Sequence, residues 1–313
     1  MRTSVRVGIV GLLIALVGCG GADDASVTTV AETTTTEAAP AEFPVTVGDL
    51  TLETEPTRIV SLSPTATEML YAVGAGPQVV AVDDFSNYPA EVAALGTALS
   101  GYEPNVEAIA GYEPDLVVIA YDTQGLMAQL QSLDIPVFMA AAVATLDGVY
   151  EQIAQIGELT GHASEAEALV ESMREEIETV VAGVKMADPA LTYFHELDDT
   201  YYTVTSNTFV GAVYSLFGLV SIADGVEEGN DYPQLSAEVI VEKDPDLIFL
   251  ADTKCCGQSA QTVATRDGWA DLSAVKNGHV VELDDDLPSR WGPRIVEFVK
   301  AIAAAVAKVL AAA

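Results

Sequence analysis

Few side chains in this sequence are suited to covalent or metal chemistry, and their spacing does not assemble a reaction centre. The three histidines, His162, His195 and His279, lie far apart without paired ligand spacing, so a zinc-type site has little support. The chain contains no Gly-x-Ser-x-Gly elbow, no His-Glu-x-x-His helix and no phosphate-binding loop. A serine or cysteine nucleophile also needs a neighbouring base. We therefore predict no catalytic residue and no bound metal ion.

The adjacent pair Cys255 and Cys256 is the other reactive feature. Outside the cytoplasm such a pair is exposed to oxidation. It is compatible with a strained vicinal disulfide, in which Gly257 eases the turn, or with two small buried thiols, because neighbouring cysteines bond only with distorted geometry. The sequence leaves both alternatives open.

The N-terminus has the features of an export signal. Arg2 and Arg6 accompany an apolar stretch at residues 7–17, which is shorter than the roughly 20 apolar residues that span a bilayer. Cys19 follows where this stretch ends, as in lipoprotein signals; the alternative is an ordinary cleaved signal with an incidental cysteine. We predict a signal peptide at residues 1–18 and lipidation of Cys19.

The next segment has the composition of a stalk. Residues 20–44 are mainly Ala, Thr, Glu and Asp, with almost no large apolar side chain to offset the entropy of ordering. We predict that residues 19–56 form a lipidated, flexible stalk that holds a folded body, residues 57–313, away from the membrane.

The overall charge excludes one class of partner. The chain has 47 acidic and 13 basic residues and a net charge of −34, whereas binding to nucleic acid requires clustered lysine and arginine. Half of the residues are hydrophobic, so the body is able to bury a sizeable core. We interpret the acidity as a hydrated, soluble surface.

Aliphatic segments alternate with amphipathic ones, which is typical of an α/β fold with parallel strands covered on both faces. In the first half we predict strands at 58–63, 78–83 and 115–121 and a helix at 65–73. The plan recurs in the second half, where 202–206 leads into a helix at 208–217 that is followed by 220–224.

An internal repeat indicates two similar lobes. Glu107 stands seven residues before Pro114, and Glu238 stands seven residues before Pro245; in both copies a Pro-Asp turn and a buried strand follow. Duplication at this distance predicts two lobes that each contain their own strands and crossover helices. We assign residues 57–162 to the N-lobe and 188–313 to the C-lobe, with the ligand cleft between them.

One long amphipathic helix is predicted between the lobes, at residues 163–187. Ser164 and Glu167 have the spacing of a capping box, and apolar residues follow at intervals of three and four until the helix ends near Lys185. A rigid helical connection resists wide hinge motion, so we expect closure by small angles.

An ordered set of short motifs runs from Arg58 to the C-terminus: Arg58-Ile59-Val60-Ser61-Leu62-Ser63-Pro64, Thr67-Glu68, Pro114-Asp115-Leu116-Val117, Tyr232-Pro233-Gln234-Leu235-Ser236, Pro245-Asp246-Leu247-Ile248 and Gly292-Pro293-Arg294. In these motifs and their order the sequence resembles the helix-linked class of substrate-binding proteins that deliver cobalamin and ferric siderophores to ABC permeases.

The resemblance implies that Glu107 and Glu238, on the outer crowns of the lobes, dock into arginine pockets of the permease. The repeat supports this pairing, because a dimeric permease presents equivalent sockets to equivalent lobes. The local alternative is helix capping: Asn105 and Ser236 are good N-caps, and a glutamate in a first turn interacts favourably with the helix dipole.

Ligand contacts are expected where the carboxyl ends of the parallel strands face each other. Ser63 and Tyr121 follow predicted strands, and aromatic residues on loops provide flat faces for a chelate. The resemblance adds polar contacts near the C-terminus, where Arg290 is also suited to a structural salt bridge with the acidic run at 284–286. The predicted contacts are Ser63, Tyr88, Tyr102, Tyr121, Tyr232, Asp286, Arg290 and Trp291.

We therefore expect a monomeric, extracytoplasmic lipoprotein that is bound to the membrane by its lipid alone and serves an ABC permease dimer with its ATPase. The expected ligand is a metal chelate, cobalamin or a ferric siderophore, and no cofactor is expected. Few positive groups converge, which favours a nearly neutral corrinoid over an anionic siderophore. The alternatives are an exported enzyme or chelatase-like protein, or a surface sensor, on the same fold.

Overall fold

Two four-stranded parallel sheets organise the part of the chain that the computed structural model describes, residues 43–97 and 99–312. The predicted signal peptide, the lipidation site Cys19 and the stalk up to residue 42 lie outside the described residues. The N-lobe contains β1 (Val45–Val47), β2 (Leu50–Leu52), β3 (Ile59–Leu62), α1 (Pro64–Ala72), β4 (Val79–Val82), α2 (Val106–Ala110), β5 (Leu116–Ile119), α3 (Leu126–Gln131), β6 (Val137–Met139) and α4 (Leu146–Thr160).

The connecting helix α5 (Ala163–Ala182) leads to the C-lobe, and the last helix returns to pack against α5. The C-terminal half contains β7 (Thr192–Glu196), α6 (Phe209–Ser215), β8 (Val220–Ser221), α7 (Ala237–Lys243), β9 (Leu247–Leu250), α8 (Ala260–Ala264), α9 (Ser273–Lys276), β10 (Val280–Glu282), α10 (Asp286–Ser289) and α11 (Ile295–Ala312).

The two sheets have the same topology, which confirms the predicted duplication. The strand orders are β4-β3-β5-β6 and β10-β9-β7-β8. In each of these sheets the strand that comes first along the chain lies between the second and the third. The registers also correspond, because Leu62 pairs with Ile119 in one sheet and Glu196 pairs with Leu250 in the other. The α/β fold with two similar lobes and one connecting helix is therefore confirmed.

The repeated Pro-Asp turn performs the same structural task in both lobes. The Asp115 carboxylate accepts hydrogen bonds from the backbone N–H and hydroxyl of Thr57, at 2.8 and 3.0 Å. The Asp246 carboxylate accepts the same two bonds from Thr192, at the same distances. Each aspartate thus joins the start of its own strand to the start of the first strand of its lobe.

The connecting helix differs from its prediction at both ends. His162 is the N-cap residue and makes no side-chain capping bond, so the predicted capping box of Ser164 and Glu167 is wrong. The reason is that α4 ends at Gly161 in the left-handed region, and the N–H of His162 bonds back to the carbonyl of Gly157 at 2.7 Å. Helix α5 can then begin at once, which leaves Ser164 inside its first turn.

Two further segments were predicted incorrectly. Residues 45–52 belong to the folded body as a hairpin whose Val47 and Leu52 are buried, although they were assigned to the stalk. Residues 202–206 do not form the first strand of the C-lobe; that strand is β7, Thr192–Glu196. This strand contains His195 and Glu196, both fully buried, and therefore does not resemble an aliphatic strand in sequence. Distant residues pair with them: Tyr214 with Nδ1 of His195, and Arg266 with Glu196.

The apolar core runs through both lobes. One continuous cluster contains Ile59 from the N-lobe sheet, Met173 and Ile177 from α5, Phe249 from the C-lobe sheet and Phe298 from α11. Separate clusters cover the outer face of each sheet. A core shared along the connecting helix resists wide separation of the lobes, which supports the prediction of small-angle closure; that prediction is still to be tested.

Candidate ligand-binding cleft

A cavity of about 200 Å³ lies at the carboxyl ends of the N-lobe strands, facing the segment that connects β10 to α11. Six of the eight predicted contact residues line it: Ser63, Tyr102, Tyr121, Asp286, Arg290 and Trp291. The structure therefore brings together residues from three N-lobe loops and from the chain far beyond them. Ser63 also caps α1, since its hydroxyl accepts the backbone N–H of Ala66 at 3.2 Å.

Three aromatic rings form a row along the N-lobe side of this cavity. Phe85 meets Tyr102 edge-on with ring centroids 5.8 Å apart, and Tyr102 lies 6.1 Å from Tyr121. All three side chains are exposed, which is unusual for three neighbouring large rings. Phe85 lies three residues beyond the end of β4, in a segment that follows a predicted strand, but it was not among the eight predicted contacts.

The Tyr121 phenol of this row is a neutral hydrogen-bonding group. Desolvation, together with the neighbouring Tyr102, raises the pKa of Tyr121 to about 12. At neutral pH its hydroxyl therefore keeps its proton. Asp83, buried behind the row, has a raised pKa because of desolvation, an effect that hydrogen bonds from Ser86 oppose.

Arg290 lines the cavity, but both of its terminal nitrogens are already engaged. One terminal nitrogen donates to Glu68 at 2.6 Å and to Asn87 at 2.9 Å. The other donates to the carbonyl of Phe85 at 3.1 Å and to Asp286 at 2.8 Å. The structure thus favours the salt-bridge interpretation of Arg290, which fixes the chain after β10 to the N-lobe.

Glu68 is the centre of this charged cluster. Its carboxylate, 1% exposed, also accepts bonds from Arg294, at 2.9 and 2.5 Å. Trp291, between the two arginines, donates its ring N–H to Gln152 at 3.1 Å. Residues 286–294 are therefore fixed to the N-lobe by buried polar contacts on both sides of the cavity.

Two predicted contacts lie outside this cavity. Tyr88 packs against Arg294, whose guanidinium carbon is 4.2 Å from the ring centroid, and borders a different groove of about 800 Å³ between α1, α5 and α11. Tyr232 is exposed in the C-lobe, where its backbone N–H donates to Asn230. Tyr88 and Tyr232 therefore pack in other parts of the fold than the six predicted contacts that line the cavity. The sequence does not specify these tertiary neighbours.

In the C-lobe the corresponding strand ends carry acids. Glu196 is paired through both oxygens to Arg266, at 2.6 and 2.5 Å. Asp252 is fully buried, and neither of its oxygens has a hydrogen-bond partner. Desolvation, followed by the nearby Glu196 carboxylate, raises the pKa of Asp252 to about 7.

Replacing Asp252 with asparagine should therefore change how stability depends on pH. In the folded chain the pKa of Asp252 lies above its ordinary value, so the folded chain retains this proton up to about pH 7. The contribution of Asp252 to the free energy of unfolding is therefore lost as the pH rises. Relative to D252N, the parent should lose about 2 kcal/mol of unfolding free energy between pH 5 and pH 8. Urea unfolding at both pH values measures the difference, with the exposed Asp199→Asn as control; equal pH dependence in D252N and parent would contradict the assignment.

The loop above this acid pair carries both cysteines. Cys255 and Cys256 are free thiols on exposed residues, so this structure has neither the vicinal disulfide nor the buried thiols that the sequence allowed. The Asp285 carboxylate accepts backbone N–H groups from Thr253, Lys254 and Cys255, which fixes the loop at the surface. Desolvation and the adjacent Cys256 raise the pKa of Cys255 to about 12, so this thiol stays protonated at neutral pH.

The two repeated glutamates are exposed, each in the first turn of its short helix. Asn105 caps α2 by accepting the N–H of Ala108 at 2.9 Å, and Ser236 caps α7 by accepting that of Val239 at 3.3 Å. The caps are therefore made by these neighbouring residues. The glutamate carboxylates form no ion pair with any described residue.

The described residues contain neither a candidate metal site nor a helix that could span a membrane. Across 43–97 and 99–312, no group of three or more histidine, cysteine, aspartate or glutamate side chains is arranged to hold a metal ion. Within the same ranges, no helix combines the length and apolar character needed to cross a bilayer.

Comparison with known proteins identifies the family. A family model described as periplasmic binding protein matches residues 59–287. The chain belongs to the periplasmic binding protein family. Its relatives in that family are binding proteins of transport systems, and the chain is a binding protein rather than an enzyme.

Three relatives illustrate the similarity. A cobalamin-binding protein of Halobacterium salinarum is 35% identical over 268 residues, which cover 82% of this chain and 72% of the relative. An uncharacterized ABC transporter substrate-binding lipoprotein, YvrC of Bacillus subtilis, is 30% identical and covers 97% of both chains. The crystal structure of the periplasmic vitamin B12 binding protein BtuF of Vibrio cholerae is 26% identical, with a TM-score of 0.68, over 82% of this chain and 98% of BtuF.

Proposed function

We propose that this periplasmic binding protein is the lipid-anchored receptor of an ABC importer and that it captures a corrinoid such as cobalamin. The observation that most supports a corrinoid is the charge of the cleft. Among the described residues that line the cavity, Arg290 is the one cation, and carboxylates and a carbonyl already engage it. An anionic siderophore would meet no unpaired cation there, whereas a nearly neutral corrinoid meets aromatic faces and phenol hydroxyls.

The size of the cavity sets a condition on this proposal. Sites for drug-sized ligands usually measure roughly 300–1,000 Å³, and this cavity measures about 200 Å³. Capture of a corrinoid therefore requires more room than this cavity offers. The exposed rings of the aromatic row must move to provide it, because residues 286–294 are fixed to the N-lobe. The names of the relatives from Halobacterium and Vibrio support the choice of ligand.

Anchoring and delivery complete the proposal. Cys19 carries the lipid, in line with the lipoprotein named in Bacillus subtilis, and the folded body acts as a monomer. Glu107 and Glu238 dock on a permease dimer that is driven by its ATPase. Their exposure and their equivalent places on two duplicated lobes support this role.

Titration of the purified chain tests the choice of ligand. Cyanocobalamin should quench the fluorescence of Trp291, which lines the cavity, while the anionic complexes ferric enterobactin and haemin should bind more weakly. Tyr102→Ala should weaken cyanocobalamin binding about tenfold, because it removes the central ring of the row. Tyr232→Ala, an exposed tyrosine outside the cavity, is the matched control and should bind like the parent. If high micromolar cyanocobalamin gives no binding signal, the corrinoid proposal is wrong.

A further inference from the structure

A fully buried acid, Asp252, lies just beyond the end of β9, where the largely exposed loop at residues 253–258 begins. The loop folds back onto this residue, because the backbone N–H groups of Cys256 and Gln258 donate to its carbonyl at 3.2 and 3.3 Å. Among the described residues, no donor reaches either oxygen of its side chain. A buried carboxylate without a donor is costly, so the site favours the protonated acid.

A second fully buried acid, Glu196, lies beside Asp252. It pairs in register with Leu250 across the parallel strands β7 and β9. Side chains two residues apart along a strand point to the same face, so Asp252, two residues after Leu250, projects from the same face of the sheet as Glu196. A protonated Asp252 can therefore donate a hydrogen bond to the Glu196 carboxylate.

The charges around this pair balance only when it carries a proton. Arg266 is the one cation among the described groups that shift the pKa of Asp252, and both of its terminal nitrogens already donate to Glu196. Asp285 adds a further carboxylate, and the neighbouring Cys255 thiol is uncharged. Desolvation and Glu196 raise the pKa of Asp252 to about 7, an effect that Arg266 opposes, so the proton can be lost near neutral pH.

The loop at residues 253–258 is held at both ends by groups of this cluster. At its start the Asp285 carboxylate accepts the backbone N–H groups of residues 253–255, at 2.8, 2.9 and 2.8 Å. At its end Gln258 accepts a hydrogen bond from Arg266 at 2.8 Å. A negative charge on Asp252 repels Asp285 and attracts Arg266. Loss of the proton therefore weakens both attachments of the loop.

The N-lobe has no acids at the equivalent positions. Aligned by strand register, Leu62 corresponds to Glu196, and Tyr121 corresponds to Asp252. Leu62 and Tyr121 both line the ligand cavity. The acid pair thus occupies the C-lobe positions that correspond to part of the cavity wall.

We propose that Asp252 and Glu196 share one proton and that loss of this proton releases the loop at residues 253–258, which makes the C-lobe side of the cleft sensitive to pH. The loop reaches the cleft through Lys254, whose Nζ donates at 3.1 Å to Asp286, a residue that lines the cavity. In the released loop Asp252 is hydrated and its pKa returns to about 4, so release is favoured increasingly as the pH rises from about 4 to about 7.

Hydrogen exchange of the ligand-free chain at pH 5.5 and pH 7.5 tests this inference. Protection factors, which correct for the intrinsic effect of pH on exchange, should fall about tenfold or more for the amides of residues 253–255. In Asp252→Asn they should match the parent at pH 5.5 and change less than about twofold at pH 7.5, because asparagine has no proton to lose. The amide of Met127 is the internal control. It donates to the Asp122 carboxylate in the loop after Tyr121 and should keep its protection.

Each outcome decides the inference without reference to the ligand. Constant protection of residues 253–255 in the parent overturns it, whatever the variant does. An equal fall in the parent and in Asp252→Asn, or an equal fall at Met127, overturns it as well. The proposed function is tested separately by the cyanocobalamin titration, since no ligand is present in this experiment.

Discussion

Replacing Glu68 with glutamine should lower the free energy of unfolding by about 3–5 kcal/mol, the range measured when one partner of a buried ion pair is removed. Glu68 is 1% exposed and accepts hydrogen bonds from Arg290 and Arg294, whose side chains are 8% and 11% exposed. Glutamine keeps the shape of the side chain but removes its charge. It leaves two adjacent guanidiniums with Asp286 as the nearest compensating carboxylate.

Urea unfolding of the parent and E68Q measures this effect. Asp271→Asn is the matched control, because it breaks the exposed pair with Lys276 and should cost less than about 1 kcal/mol. Fluorescence of Trp291 should also change in E68Q, since its neighbours Arg290 and Arg294 lose their common partner. A loss no larger than that of the control would show that this cluster does not stabilise the fold.

Reversing both crown charges, Glu107→Lys together with Glu238→Lys, should abolish uptake of the ligand and leave its binding unchanged. Close charge pairs across an interface couple strongly, so two reversals should weaken permease binding by about 100-fold or more. Neither glutamate lines the cleft cavity, so the affinity for cyanocobalamin should equal that of the parent.

Uptake of labelled cyanocobalamin by cells that express each variant provides the measurement. Glu171→Lys with Glu175→Lys is the control, because it makes the same charge change at exposed positions of the connecting helix α5. Normal uptake by the crown double variant would refute docking through these residues. Cyanocobalamin binding without uptake by the parent chain itself would instead favour the sensor alternative, in which the fold binds a ligand without delivering it.

The fold could be predicted largely because the chain is duplicated. Glu107 and Glu238 stand at the same distance from a proline, and the Pro-Asp turns that follow make the same hydrogen bonds to Thr57 and Thr192. A local pattern of this kind can be detected in the sequence, because neighbouring residues and their own backbone set it. The failures occurred where a segment depends on distant partners, as in β7 with its buried His195 and Glu196.

The cleft was predicted in part for the same reason. Ser63 and Tyr121 follow buried strands, so topology alone places them at the carboxyl edge of the sheet. Tyr88 and Tyr232 were predicted because they are aromatic, and aromatic character does not indicate where a residue lies in the fold. Phe85, which lies beyond the end of β4, was not among the predicted contacts, because the sequence does not show that its ring lies beside that of Tyr102.

By itself the sequence determined the two lobes, the helix between them, the paired glutamates and the family, because periodicity, duplication and ordered motifs are properties of the chain alone. Tertiary structure alone decided the charge of the cleft. The sequence shows that Arg290 is a cation, but only the fold shows that its terminal nitrogens already donate to Glu68, Asn87 and Asp286. Whether a charged side chain is available to a ligand depends on groups that folding brings within about 3 Å, and those groups lie as far as two hundred residues away.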